Sequence, residues 1–216
     1  HVVTHVLHGI DLTIEPGEFT PELLDAVRDL PRLCRHFHIA LQSADPDILQ
    51  RMNRRYCPDD FAQVAERLRC IAPDVTIGAD IIVGFPGESE QAFGNTCSFV
   101  QKCSLSYLHI FRYSPRPGTS AAEMPDQIPD ETKKRRSDKL HEIRTGLMEK
   151  SRRSTVGQTL DVLFEHRRTA DGMLTGLSGN YFRVRIEGPD MLMGSIAQVE
   201  ITDCDNTGLR GRLKPF

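Results

Sequence analysis

Gln42 and Ser43 close an apolar run and offer an amide and a hydroxyl, groups suited to a sugar. Asp80 stands inside a second apolar run, over residues 75–85. A carboxylate in such surroundings needs a partner, because burying an unpaired charge is costly. Ribose hydroxyls or a cation could supply it, and so could a neighbouring backbone amide or an arginine. Gly84 and Gly87 either let backbone approach a ligand or simply turn the chain. The six cysteines stand at positions 34, 57, 70, 97, 103 and 204, and none has C-x-x-C spacing. No metal-ligand set and no catalytic nucleophile is therefore assigned from the residues. Cys97 fits an apolar helix face and reads as core.

Parallel α/β sheets bind ligands beyond the carboxyl ends of their strands, so those strands come next. The runs 10–14, 36–42, 75–85 and 107–113 predict strands. Between them, Thr20-Pro21 predicts a helix start, with Leu23, Leu24, Val27 and Leu30 on one face. Asp45-Pro46 starts a helix through about Asn53. Asp59 or Asp60 caps the next, which carries Phe61, Val64, Ala65, Leu68 and Ile71 at helical spacing. Phe93, Cys97 and Val100 mark another. After a Pro- and Gly-containing loop over 114–130 comes a long basic helix with Leu140, Ile143 and Leu147. Four βα units are too few for an eight-stranded barrel, which leaves an open sheet or an incomplete barrel. From about residue 154 the texture changes to short alternating runs at 159–165, 180–186, 197–202 and 209–213, with a hairpin turn at Asp171-Gly172. That pattern predicts a small all-β barrel of the OB type. The composition, 39% hydrophobic and 26% charged over 216 residues, suits a soluble globular chain. A net charge of −3 makes any nucleic-acid surface a local patch. No apolar run approaches the ~18 residues of a membrane helix.

Three blocks carry a resemblance. His36-Phe37-His38-Ile39-Ala40-Leu41-Gln42-Ser43-Ala44 with Leu49-Gln50-Arg51-Met52-Asn53-Arg54-Arg55-Tyr56 resembles the H-x-x-x-Q-S-G…L-x-R-M-x-R-x-Y stretch of radical S-adenosylmethionine (SAM) methylthiotransferases. Asp80 to Glu88 matches that family's D-x-I-V-G-F-P-G-E strand, and Tyr113 to Thr119 its Y-S-x-R-x-G-T loop. Order and spacing agree in all three. Ala40 stands where proline is common, and Ala44 where glycine is common. The tail from about Val156 to Leu213 resembles the TRAM domain of these enzymes. Arg32-Leu33-Cys34 and Tyr56 look most like the branch acting on threonylcarbamoyladenosine in tRNA. The ribosomal-protein branch usually has His where this chain has Ser43.

The resemblance implies an α/β fold: the C-terminal part of a radical SAM partial (βα) barrel over residues 1–153, then an OB-like TRAM barrel over 154–216. It implies a reaction that replaces C–H by C–SCH3 at adenosine 37 of tRNA, with SAM and [4Fe–4S] clusters as cofactors. Carried over by position, Gln42 and Asp80 suit the SAM ribose and Arg54 its carboxylate. Ser43 is a further candidate, and backbone at Gly84 and Phe111 would flank adenine. For Arg54 the plain alternative is a surface helix arginine. The reactive cluster needs C-x-x-x-C-x-x-C, which this sequence lacks, so the chain alone is expected to be inactive. Expected partners are the tRNA anticodon loop, and neither membrane nor DNA; the expected compartment is the cytoplasm. Tyr181, Arg183, Arg185, Arg210 and Arg212 are expected to meet RNA. Lys133-Lys134-Arg135-Arg136 and the basic residues after it read as a solvated face or as a phosphate contact. Two other readings stay open: a truncated RNA-binding module without catalysis, and an unrelated α/β enzyme fused to an OB barrel.

Overall fold

The computed structural model describes residues 13–30 and 33–214. They group into two bodies, residues 13–30 with 37–147, and residues 33–36 with 148–214.

The first body holds a four-stranded sheet in the order β1 (Thr13–Ile14), β2 (His36–Gln42), β3 (Thr76–Val83) and β4 (Tyr107–Arg112). The pairs β1/β2 and β3/β4 are parallel, with Ile14 opposite Ile39 and Asp80 opposite His109. Residues 10–12 of the predicted first strand lie outside the described residues. Helices intervene where side chains satisfy the free N–H groups of a first turn. The Thr20 hydroxyl accepts from the Leu23 amide at the start of α1 (Pro21–Asp29). Asp45 does the same for Ile48 in α2 (Pro46–Arg51), and Ser89 for Ala92 in α4 (Glu90–Lys102). The cap of α3 (Pro58–Ile71) is Cys57, not Asp59 or Asp60; Asp60 instead reaches back to accept the Cys57 amide at 2.8 Å. Leu30 closes α1 and is 42% exposed, so that helix buries only Leu24 and Val27. One face of the sheet presents Phe37, Ile39, Leu41, Ile77, Ala79, Ile81, Val83 and Leu108, all buried. Phe61, Val64, Ala65 and Leu68 form the buried stripe of α3 at spacings of three and four residues.

The loop after β4 contains one helical turn, α5 (Ser120–Glu123), before the long α6 (Asp130–Arg153). The basic run on α6 is not a uniformly solvated face. Lys133 and Arg136 are buried, and Arg135 pairs with Glu90 at 2.7 Å.

The second body is a closed five-stranded barrel, β5 (Thr159–Arg168), β6 (Leu174–Ser178), β7 (Arg183–Ile186), β8 (Ile196–Asp205) and β9 (Gly208–Leu213), ordered β5-β6-β7-β9-β8. Closure removes the open edges of the sheet. Alternate residues Leu160, Val162 and Phe164 of β5 enter a core with Leu174, Val184, Ile186, Val199, Ile201 and Leu209. Sequence patterning foresaw four of these strands and missed β6. The predicted turn is present, with Gly172 at φ +82° and its amide bonded to the Thr169 carbonyl. No helix among the described residues is long and apolar enough to cross a membrane.

Candidate functional site

Strand alternation builds the site. If Ile39, Leu41, Ile81 and Leu108 face one way, then His38, Ala40 and Gln42 of β2, Asp80 of β3, and Tyr107, His109 and Phe111 of β4 face the other. Contacts bear this out: Asp80 Oδ1 lies 2.8 Å from His38 Nε2 and 3.3 Å from His109 Nδ1. The two imidazoles are themselves 4.6 Å apart, centroid to centroid. Asp80 thus finds its partners in two histidines, not in the arginine or backbone amide of the plain reading. Burial pushes its acidity constant up, but the hydrogen bond and charge of His38, then of His109, outweigh this and hold the carboxyl below its usual range.

At the carboxyl end of β2, Gln42 is buried with φ +63°, a left-handed conformation costing about 1–3 kcal/mol outside glycine. That strained glutamine sits where a ligand would meet the sheet. Ser43 lies just past it, and its hydroxyl is taken up by the turn. It accepts the Asp45 amide at 3.2 Å and stands 3.4 Å from the Thr96 hydroxyl, which accepts the Ala44 amide.

Arg54 falls beyond the end of α2 and is not a surface helix residue. Its guanidinium pairs with the Glu15 carboxylate, the functional group expected of its ligand, while its Nε is buried with no partner. The Tyr56 hydroxyl is likewise buried and unpartnered. Burial pushes Tyr56 up to about 12, with Arg54 pulling it down and Glu15 and Asp80 adding to the rise. Arg54, Glu15 and Asp80 thus each act on the Tyr56 hydroxyl.

Gly84 is at φ +73°, and its amide donates to Glu88 Oε2 at 2.7 Å. A Cβ on Gly84 would stand 2.3 Å from Lys133 Cγ. Gly84→Ala should therefore cost about 2–4 kcal/mol through backbone strain and overpacking, read as a lower urea midpoint at unchanged slope. Phe111 is half exposed beside His109.

In the barrel, every expected RNA-facing arginine has an acidic neighbour. Arg183 pairs with Glu165 at 2.8 Å, Arg212 with Glu200 at 3.0 Å, and Arg185 and Arg210 share Asp205. Tyr181, at φ +68° and 38% exposed, stacks on His36 with centroids 4.5 Å apart.

Residues 3–100 match the radical SAM superfamily and residues 153–214 the TRAM domain. The tRNA-2-methylthio-N(6)-dimethylallyladenosine synthase of Caldicellulosiruptor saccharolyticus is 34% identical over 213 residues, covering 97% of this chain and 45% of that protein. The threonylcarbamoyladenosine tRNA methylthiotransferase MtaB of Thermotoga maritima is 40% identical over 176 residues, covering 82% of this chain and 40% of that protein. The chain belongs to the radical SAM tRNA methylthiotransferase family. It spans about half the length of the curated methylthiotransferases it matches. Coproporphyrinogen III oxidase of Escherichia coli shares the fold, with a TM-score of 0.53 at 15% identity over 79% of this chain and 45% of that one.

Family membership brings SAM and [4Fe–4S] clusters, and the residues present fit the two unequally. A guanidinium that already holds a carboxylate, a carboxylate fixed on the sheet and two uncommitted buried donors suit a methionyl and ribosyl ligand. The cluster does not fit. The cysteines are dispersed over the α3 cap, α3, α4 and its end, β8 and the segment before β2. Among the described residues no three of them converge. Sequence reasoning selected Gln42, Arg54 and Asp80 but passed over Glu15, His38, His109 and the buried Tyr56 hydroxyl. Strand alternation around Asp80 was the available signal for the histidines.

Proposed function

We propose that this chain supplies the SAM-binding sheet and RNA-binding barrel of a methylthiotransferase acting on the modified adenosine 37 of tRNA. The threonylcarbamoyladenosine branch is the preferred assignment, on the strength of the Arg32-Leu33-Cys34 and Tyr56 signals and the MtaB match. Residues 1–153 form the catalytic part and 154–216 the TRAM part. The anticodon loop is the partner and the cytoplasm the compartment. Dispersed cysteines leave the chain by itself without the radical-generating cluster, hence without transferase activity.

One observation carries the reading: the Arg54 guanidinium pairs with a carboxylate, that of Glu15, and keeps a buried Nε without a partner. Arg54 would hold the amino-acid carboxylate, Asp80 and Gln42 the ribose hydroxyls, and backbone near Gly84 and Phe111 the adenine edge. Ser43 would contribute through the turn that strains Gln42. The barrel arginines would reach phosphate by exchanging their carboxylate partners for it.

Equilibrium dialysis with labelled SAM tests the site. Saturable binding to the parent chain should weaken by about tenfold or more in Arg54→Ala, since a charged hydrogen bond is worth about 1.5–3 kcal/mol. The variant Arg28→Ala, on the exposed face of α1, should bind as the parent does. Absence of saturable binding to the parent, or equal binding by Arg54→Ala, overturns the assignment.

A further inference from the structure

The two histidines on Asp80 are not explained by SAM recognition. Three potential ligand atoms, His38 Nε2, an Asp80 carboxylate oxygen and His109 Nδ1, lie within 4.8 Å of one another. They come from β2, β3 and β4, adjacent strands of one sheet, so backbone hydrogen bonding holds their spacing. We infer that His38, Asp80 and His109 form a binding site for one divalent transition-metal ion.

Geometry is the first support. Zinc-type bonds of about 2.0–2.2 Å in a tetrahedral arrangement put neighbouring ligand atoms about 3.3 Å apart. His109 Nδ1 already stands 3.3 Å from Asp80 Oδ1. His38 Nε2, at 2.8 Å, needs to retreat by about half an ångström, a small torsional adjustment for a side chain.

Charge is the second. Asp80 is 15% exposed, and its ion-pair partners among the described residues are His38 and His109, with no lysine or arginine. A divalent ion held by this carboxylate and the two imidazoles would balance its charge where no lysine or arginine does. Ligand type is the third. Two imidazoles and one carboxylate suit Zn²⁺, Fe²⁺, Co²⁺ or Mn²⁺, and three protein ligands leave a position for water or substrate. Exposure runs from 5% at His38 through Asp80 to 36% at His109, which gives an ion a way in past the outermost ligand. Tyr107 and Phe111 meet the His109 ring edge to face at 4.9 and 6.4 Å and fix its orientation, as the surroundings of metal-bound histidines do.

The inference shares Asp80 with the SAM reading but does not rest on it, and its test omits SAM so that the two fail separately. The chain is titrated with Co²⁺ alone and followed by visible absorption, then with Zn²⁺ as competitor. One equivalent should bind, with ligand-field bands of nitrogen and oxygen ligation, and Zn²⁺ should displace it. His109→Ala and Asp80→Asn should each weaken binding by more than about tenfold, and His141→Ala should not. If Asp80→Asn loses its native circular dichroism, the half-exposed His109→Ala carries the test. Failure of the parent to bind, unchanged binding in His109→Ala, or sulfur-to-cobalt charge-transfer bands would each overturn the proposal.

Discussion

Replacing Arg136 by alanine is expected to lower stability by about 3–5 kcal/mol, a loss large enough to leave much of a domain unfolded at moderate temperature. Arg136 and Glu88 are 3% and 2% exposed, with Nη1 2.6 Å from Oε2. The same nitrogen donates to the Glu88 carbonyl at 3.0 Å, and Nη2 reaches Glu90 at 2.7 Å. Glu88 also accepts the Gly84 amide. One guanidinium therefore ties the Gly84–Glu88 turn to α6. Truncating it strands a buried carboxylate, whereas removing both charges in Glu88→Gln/Arg136→Met should cost distinctly less. The pH dependence gives a second check. Burial, opposed by the Gly84 amide and Arg136, raises the Glu88 acidity constant above its ordinary value. The protonated acid is thus favoured by folding. Its stabilising contribution is present below the ordinary glutamate range and is lost as pH rises through the raised folded value. The Arg136→Ala deficit should accordingly shrink as pH falls through that window, followed by urea denaturation at several pH values. A deficit below about 1 kcal/mol, or one that grows on acidification, would contradict this account.

This ion pair also marks the limit of what the sequence could tell. Glu88 and Arg136 are 48 residues apart, and a run of four basic residues resembles a solvated helix face. Nothing local distinguishes the buried Lys133 and Arg136 from the exposed Lys134 and Arg135; only the course of α6 past the Gly84–Glu88 turn does. Asp80 was legible because a charge inside an apolar strand contradicts its surroundings. His38 and His109 were not, since each is an ordinary strand residue until the register sets His109 opposite Asp80. Helix starts at Thr20 and Asp45 were readable because capping is settled within four residues. The strand β6 was missed because Thr175, Gly176 and Ser178 dilute its alternation, although the turn before it was plain. Likewise the barrel arginines showed as a basic stripe because their acidic partners lie on other strands, Glu165 on β5 and Glu200 and Asp205 on β8.

Phe164→Ala should open the barrel while sparing the sheet. Phe164 is 1% exposed and among the largest fully buried side chains. It belongs to a core of nine buried residues, so few neighbours are available to fill the space it leaves. Truncating a buried phenylalanine costs about 3–5 kcal/mol. A module of about 60 residues has on the order of 3–9 kcal/mol in total. The variant thus removes a large share of the barrel's stability, whereas the Asp80 sheet has its own core around Ile39, Leu41, Ile77, Ile81 and Leu108. Native-state hydrogen exchange separates the two outcomes. Amides of Val162, Val184 and Val199 should exchange faster by about two to three and a half powers of ten, at 1.4 kcal/mol per tenfold. Amides of Ile81 and Leu108 should keep their parent rates. Equal acceleration in both bodies would mean that barrel and sheet unfold as one unit. Little change in either would mean that the cavity collapses without loss, contrary to the packing described.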